Sequence, residues 1–313
     1  MKRSGALVDY ASSEDEQKPT RPTEQPATKR RKLPALASNL VVSTPVDNPA
    51  LHQGRLRSNP HVEGQFAAYV YVPVRISRES ALGTLLHKAF RRAAEIVPIL
   101  HFIGDAEKES DERELHISLT RPIYLRAHQR EEFRAAVRAV SRKHKQFPAS
   151  FANFAELTND ERTRTFLTIE IGAGHRELDA LCTALAPTLR IYRQKEFYDK
   201  PRFHASIAWA LMAQPEVKSS EPPSTPSPNG DNHSTSPIEQ VPALVNVTDS
   251  DARLFVTTST GFPAVLRFPD QLVSSLETEF GPVLRSRHVG AFEAECICVK
   301  IGKDVHRFRL QGE

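Results

Sequence analysis

Two short runs of this chain place a histidine and a serine two positions apart in an apolar frame: Leu115-His116-Ile117-Ser118-Leu119 and Phe203-His204-Ala205-Ser206-Ile207. Successive side chains of a β-strand point to opposite faces, so His116 and Ser118 share one face while Leu115, Ile117 and Leu119 share the other. The same alternation sets His204 and Ser206 against Phe203, Ala205, Ile207 and Trp209. Two such strands facing one another gather two imidazoles and two hydroxyls around a single small group. Imidazole titrates near neutrality and serves as base or acid, and one step of RNA cleavage needs both. One ring takes the proton of a ribose 2′-hydroxyl as it attacks the adjacent phosphorus, and the other protonates the departing 5′-oxygen. The hydroxyls donate to the non-bridging oxygens, where charge builds in the transition state. The expected chemistry is acid–base catalysis on a phosphodiester, with no metal and no cofactor.

A third match, His233-Ser234-Thr235, lies among Pro, Ser and Asn with no apolar alternation and is background. Taken singly, each of the other two runs is equally well a half-buried strand histidine with a satisfied hydrogen bond. Two in the same strand context, roughly ninety residues apart, favour a duplicated lobe with one shared site. No His/Asp/Glu cluster has metal-ligand spacing, and Asp111-Glu112 reads as a solvated turn before the first strand. The repeated His-Ser pair is no graded Ser-His-Asp triad, and no glycine-rich phosphate loop is present.

The elements that must carry these runs follow from periodicity. An aromatic and β-branched strand spans Gln65 to Val72, with Pro73 near its end. Leu82, Leu85, Leu86, Ala89, Phe90 and Ala93 recur at helical spacing until Pro98, and Ile99 to Ile103 returns as a strand. After the first His strand comes a helix from about Glu131 with Phe133, Val137 and Val140 inward. A strand over Phe166 to Ile171 and a helix over Glu177 to Leu189 then lead into the second His strand. Beyond it come a short strand at Leu254-Phe255-Val256 and a helix over Gln271 to Phe280. The last element is a hairpin pairing Cys296 to Ile301 with Val305 to Leu310 across Gly302-Lys303-Asp304. This order predicts an α+β chain with two similar halves rather than a doubly wound parallel sheet.

At 313 residues the chain has room for one large domain or two modest ones, and a net charge of +4 permits an anionic partner without making it a polycation. Residues 1–50 are rich in Pro, Thr, Ser, Glu and Lys and poor in aromatics, so they read as a disordered tail before a folded domain at 51–313. Within the tail, Lys29-Arg30-Arg31-Lys32 is a contiguous basic cluster between Pro26 and Pro34, read as a signal for a nuclear import receptor. A second Pro/Ser-rich stretch at about 214–246 reads as a disordered insertion in a surface loop. Three cysteines, Cys182, Cys296 and Cys298, make no disulfide framework, and a reducing intracellular compartment is expected. No apolar run approaches a membrane span, and Met1-Lys2-Arg3-Ser4 lacks the apolar core of a signal peptide.

The paired His-x-Ser strands resemble the two-histidine (2H) phosphoesterase superfamily. The resemblance is closest to its U6 snRNA phosphodiesterase family, on His52-Gln53-Gly54-Arg55 with Pro60-His61, on Leu115 to Thr120 followed by Arg121-Pro122, on Phe197 to Ser206, and on Cys298-Val299-Lys300-Ile301-Gly302. Leu7-Val8-Asp9-Tyr10 with Ser12-Ser13-Glu14-Asp15 is similar to the tail of such proteins. It covers about residues 50 to 310, with the Pro/Ser insertion as the main departure. It implies two pseudo-symmetric lobes, with antiparallel sheets and flanking helices, around a central cleft. It further implies a nuclear 3′→5′ exoribonuclease, acting as a monomer, that trims the oligouridine end of U6 small nuclear RNA. Such an enzyme leaves a 2′,3′-cyclic phosphate, which some relatives open to a 3′-phosphate. By position, His116 and His204 match the catalytic pair, with His204 as base and His116 as acid. Ser118 and Ser206 match the phosphate-binding hydroxyls, and Tyr198 matches a tyrosine that contacts the terminal nucleotide. Two rival readings stand beside this one: a cyclic nucleotide phosphodiesterase of the same fold, and a non-catalytic RNA-binding subunit of a splicing particle.

Overall fold

The computed structural model describes residues 48–57, 59–60, 62–103, 112–213 and 254–312. The basic cluster at 29–32, His61, Asp111 and the Pro/Ser-rich stretch at 214–246 lie outside the described residues, as does the tail before Asn48. Pro49–His52 form a turn of 3-10 helix that opens with the Asn48 side chain accepting from the Ala50 N–H at 3.0 Å.

In chain order the elements are β1 (Gln65–Ser77), α1 (Ala81–Ile96), β2 (His101–Phe102), β3 (Glu112–Ser118), β4 (Ile123–Arg126), α2 (Arg130–Lys143), β5 (Phe147–Thr158), β6 (Arg164–Ile171), α3 (His175–Ile191) and β7 (His204–Leu211). There follow β8 (Phe255–Thr257), β9 (Pro263–Val265), α4 (Gln271–Leu284), α5 (Arg287–Gly290), β10 (Ala291–Ala294), β11 (Cys296–Ile301) and β12 (Asp304–Arg309). Ten strands make one sheet in the order β10-β5-β6-β7-β3-β1-β11-β12, with β2 beside β7 and β4 beside β1. Neighbours in it pair antiparallel. The fold is α+β, and the two expected lobes are the two halves of this sheet, joined where β3 meets β7.

Each half carries its own helices. α1 and α4 pack together with α4 on β5, while α2 and α3 pack together with α2 on β11 and β12. The stripes that drive this packing are those of the periodicity. Leu82, Leu85, Leu86, Ala89 and Ala93 of α1 are buried, as are Phe133, Val137 and Val140 of α2 and Leu178, Leu181, Leu185 and Leu189 of α3. Ser80 caps α1, its hydroxyl accepting from the Gly83 N–H at 3.0 Å. No helix among the described residues is long and apolar enough to cross a membrane.

Three expectations change. β1 runs on past Pro73, which sits opposite His116 inside the strand. Its register with β11 extends only from Ala68 to Tyr71, so beyond that point β1 has β3 on one side alone and the missing N–H breaks no ladder. Glu112 is the first residue of β3 and not a turn residue. β5 is a strand that the periodicity does not predict. Its sequence has three Ala, a Pro and an Asn and only one β-branched residue, Thr158, so no strict alternation marks it, yet Phe147, Phe151 and Phe154 bury into the core.

Candidate active site

β3 and β7 pair antiparallel at Ile117 and Ala205, both fully buried. That register sets His116 across from Ser206 and Ser118 across from His204, all four on the opposite face from Ile117 and Ala205. Directly opposed positions in such a pair have Cβ atoms about 4.5–5.5 Å apart. The four side chains that the sequence singled out therefore stand in a diagonal square, each imidazole facing the other strand's hydroxyl. The two imidazoles are close enough that the charge on His204 disfavours protonation of His116. Among the described residues neither serine hydroxyl is engaged in a hydrogen bond, so both are free to donate to a bound anion.

His204 has a defined tautomer. Its Nδ1 lies 2.6 Å from the Arg202 carbonyl, which only accepts, so Nδ1 carries the proton and Nε2 is left with a lone pair. Burial holds the His204 pKa below its ordinary value, against the Arg202 carbonyl and the Glu170 carboxylate, which pull it up. Glu170 is itself fixed, accepting from Arg202 Nε at 2.7 Å and from Asn153 Nδ2 at 2.9 Å. A neutral, oriented imidazole with a free Nε2 is the equipment of a general base.

His116 is held by packing. Its ring centroid lies 5.8 Å from those of Tyr69 and Tyr71, edge-on to the latter. Burial first, then the charges of His204 and Lys300, lower its pKa, while the nearby Glu114 carboxylate raises it. Glu114 shares the face of His116 two residues back on β3. It accepts from the Tyr71 hydroxyl at 3.0 Å and pairs with Arg307 of β12. A carboxylate beside an imidazole favours the imidazolium form, which suits a general acid. Cys296 and Cys298 lie on one face of β11, as their spacing predicts, and both are free thiols.

Tyr198 is not on the sheet. It sits in the loop between α3 and β7, 42% exposed, its hydroxyl donating to Asp160 at 2.9 Å. The guanidinium of Arg121 lies 3.9 Å from the ring centroid and pairs with Asp160 at 2.9 Å. Burial, then the hydrogen bond to Asp160, raise the phenol's pKa, so it stays neutral. Arg121 comes three residues after Ser118, just past a bend where the buried Thr120 hydroxyl accepts from the Val70 N–H at 3.0 Å. Tyr198 is thus tied to the segment just past β3, with one ring face occupied by Arg121.

Trp209 lies on the opposite face from the one strict alternation predicts. β7 carries an extra residue between Ser206, paired with Thr168, and Ala208, paired with Leu167. Past this bulge the alternation reverses, so Ala208 and Ala210 join Ile207 in the main core while Trp209 and Leu211 turn to the histidine face. There Trp209 stacks on His101 at 4.4 Å and Arg55 lies over it at 5.2 Å. Glu114 was findable by carrying the His116 alternation one step back. Glu170, Arg307 and Asp160 were not, because each reaches the site through a strand or hairpin whose pairing the sequence does not spell out.

A family model described as "HVSL: Uncharacterised conserved protein" matches residues 31–247. A U6 snRNA phosphodiesterase 1 of Drosophila melanogaster is 32% identical over 226 residues, 67% of this chain and 83% of that protein. One of Homo sapiens is 30% identical over 223 residues, 66% of this chain and 79% of that protein. A solved structure of Kluyveromyces marxianus Usb1 is similar with a TM-score of 0.47 and 14% identity, covering 78% of this chain and 98% of that one.

Proposed function

The chain belongs to the HVSL family and to the U6 snRNA phosphodiesterases, and from that premise we propose that it trims the 3′ end of U6 small nuclear RNA by transesterification. The observation that carries the mechanism is the diagonal square of His116, Ser118, His204 and Ser206 across the β3–β7 pair. Nε2 of His204 removes the proton of the 2′-hydroxyl next to the last phosphodiester. The O2′–P bond forms, the P–O5′ bond breaks, and His116 protonates the leaving 5′-oxygen. Ser118 and Ser206 donate to the two non-bridging oxygens. The products are RNA one nucleotide shorter, ending in a 2′,3′-cyclic phosphate, and a nucleoside with a free 5′-hydroxyl. No water is consumed, and chain residues supply both proton transfers. Tyr198 and the Arg121 over it border the place of the terminal nucleotide, and stacking of a base there contributes about 1–3 kcal/mol. Nuclear residence, entry through an import receptor at Lys29, Arg30, Arg31 and Lys32, and action as a monomer complete the proposal.

General acid–base catalysis contributes about 10²–10⁴-fold, so His116→Ala and His204→Ala should each lose at least that much turnover while keeping the wild-type circular dichroism spectrum. A single 2′-deoxyribose at the penultimate position should block cleavage, since the nucleophile is gone. Turnover of either variant at the wild-type rate would overturn the assignment. The cyclic phosphodiesterase reading predicts the reverse substrate preference, a cyclic mononucleotide out-competing a longer RNA.

A further inference from the structure

A groove of about 1030 Å³ opens on the face of the sheet that carries the histidines. Its floor includes Gln65 and Ala67 of β1, on the same alternation as Tyr69 and Tyr71, which flank His116. One wall is the segment of residues 52–57, which crosses the end of β7 with Arg55 over Trp209. The other walls come from the turn after β3, the β5–β6 hairpin and the loop before Tyr198. Arg55, Arg57, Arg121, Arg164, Arg193 and Lys195 all line it, against two carboxylates, Asp160 and Glu161. Asp160 is neutralised by Arg121. Among the described residues, Arg55, Arg164, Arg193 and Lys195 have no carboxylate within ion-pairing distance. Burial, then the nearby charge of Arg55, lower the Arg164 pKa, while the Glu161 carboxylate raises it. Such a cluster is stabilised by an anion lying between its members.

We infer that this groove binds the ribose–phosphate chain of the RNA on the 5′ side of the scissile bond. The inference rests on the RNA-trimming reading above. The charge balance selects that side. A nucleoside leaving from a 3′ end carries no phosphate once the P–O5′ bond breaks, and the scissile phosphate is already met by two imidazoles and two hydroxyls. The four cations of the groove without a carboxylate partner, Arg55, Arg164, Arg193 and Lys195, match only a segment with one negative charge per nucleotide, which is the 5′ chain. Backbone contacts of this kind hold any sequence and position the end without reading it. The groove also gives a role to the His52-Gln53-Gly54-Arg55 run, which the chemistry at the histidines leaves unused.

The test compares the dinucleotide UpU with a nine-residue oligouridine on the full-length protein and on an Arg55→Ala, Arg193→Ala, Lys195→Ala triple variant. Cleavage rates are measured for both substrates. Binding of the long RNA is measured by fluorescence anisotropy in a His116→Ala background, at several salt concentrations. The expected result is unchanged kcat/KM on UpU with long-RNA binding weakened about tenfold or more. The salt slope of the long RNA should shrink by about 2, at about 0.7 for each of three phosphate contacts. Unchanged long-RNA binding, or an equal loss on UpU and the long RNA, would overturn the inference. So would a polyglutamate that binds the wild-type protein but not the triple variant while oligouridine binds both alike, since the groove would then belong to an acidic protein. If the wild-type protein cut neither RNA yet bound the long one through these three residues, the trimming mechanism would fall and the groove assignment would stand.

Discussion

The two histidines differ in how they are held, and the proposed mechanism divides its work along that difference. His204 is locked by a hydrogen bond from Nδ1 to the Arg202 carbonyl, whereas His116 is braced by Tyr69 and Tyr71 and attended by Glu114. Both pKa values lie below the ordinary imidazole value, so the form with one neutral and one protonated ring is most populated on the acid side of about pH 6.5. The kcat/KM profile should therefore peak below that pH and fall as pH rises through the pKa of the acid. Glu114→Gln removes a carboxylate that raises His116, so the alkaline limb should move to lower pH with the acid limb fixed. Movement of the acid limb instead would make His116 the base. Stability follows the same sign. The native state takes up these two protons less readily than the unfolded chain, so stability holds above about pH 6.5 and declines as pH falls through the native pKa values. Melting curves of wild type and a His116→Gln, His204→Gln double variant between pH 7.5 and 5 should converge as the pH falls. A constant gap would contradict the shifts.

At the scale of elements, the parts of the fold legible in the sequence were those whose period is undisturbed. β3 and the start of β7 alternate strictly, and α1, α2 and α3 bury the stripes that their spacing marks. The final hairpin turns at Gly302, at φ 60°, as its composition predicts. What stayed hidden was long-range or irregular. β5 has only one β-branched residue and no strict alternation, and the extra residue in β7 reverses the faces beyond Ser206 so that Trp209 lands beside Arg55. The segment carrying Arg55 depends on Gly54, whose φ is +80° and whose Cβ, if present, would lie 2.5 Å from Leu211 Cδ1 and 2.7 Å from Phe262 Cγ. Gly54→Ala should therefore lift residues 52–57 from the end of β7. Trypsin should then cut after Arg55 or Arg57 faster than in the wild type, and equal resistance would contradict that anchoring.

Among the molecule's described residues, ten strands form one antiparallel sheet whose two halves, each with its helices, meet along β3 and β7, and β8 and β9 pair apart from it. That seam brings one His-Ser pair from each half onto a common face, which explains why two similar runs far apart in sequence were the most informative signal. Its formal charge is only +4, so the cations beside the site act locally and not through a global field. The central claim is that these two imidazoles carry a 2′-hydroxyl transesterification at an RNA 3′ end. The most direct test incubates the protein in EDTA with a 5′-labelled RNA ending in several uridines, then treats the products with phosphatase before and after acid. The account predicts a ladder shortening from the 3′ end whose products resist phosphatase until acid opens the ring. Ends that carry a plain 3′-hydroxyl, or shortening that stops in EDTA, would contradict it.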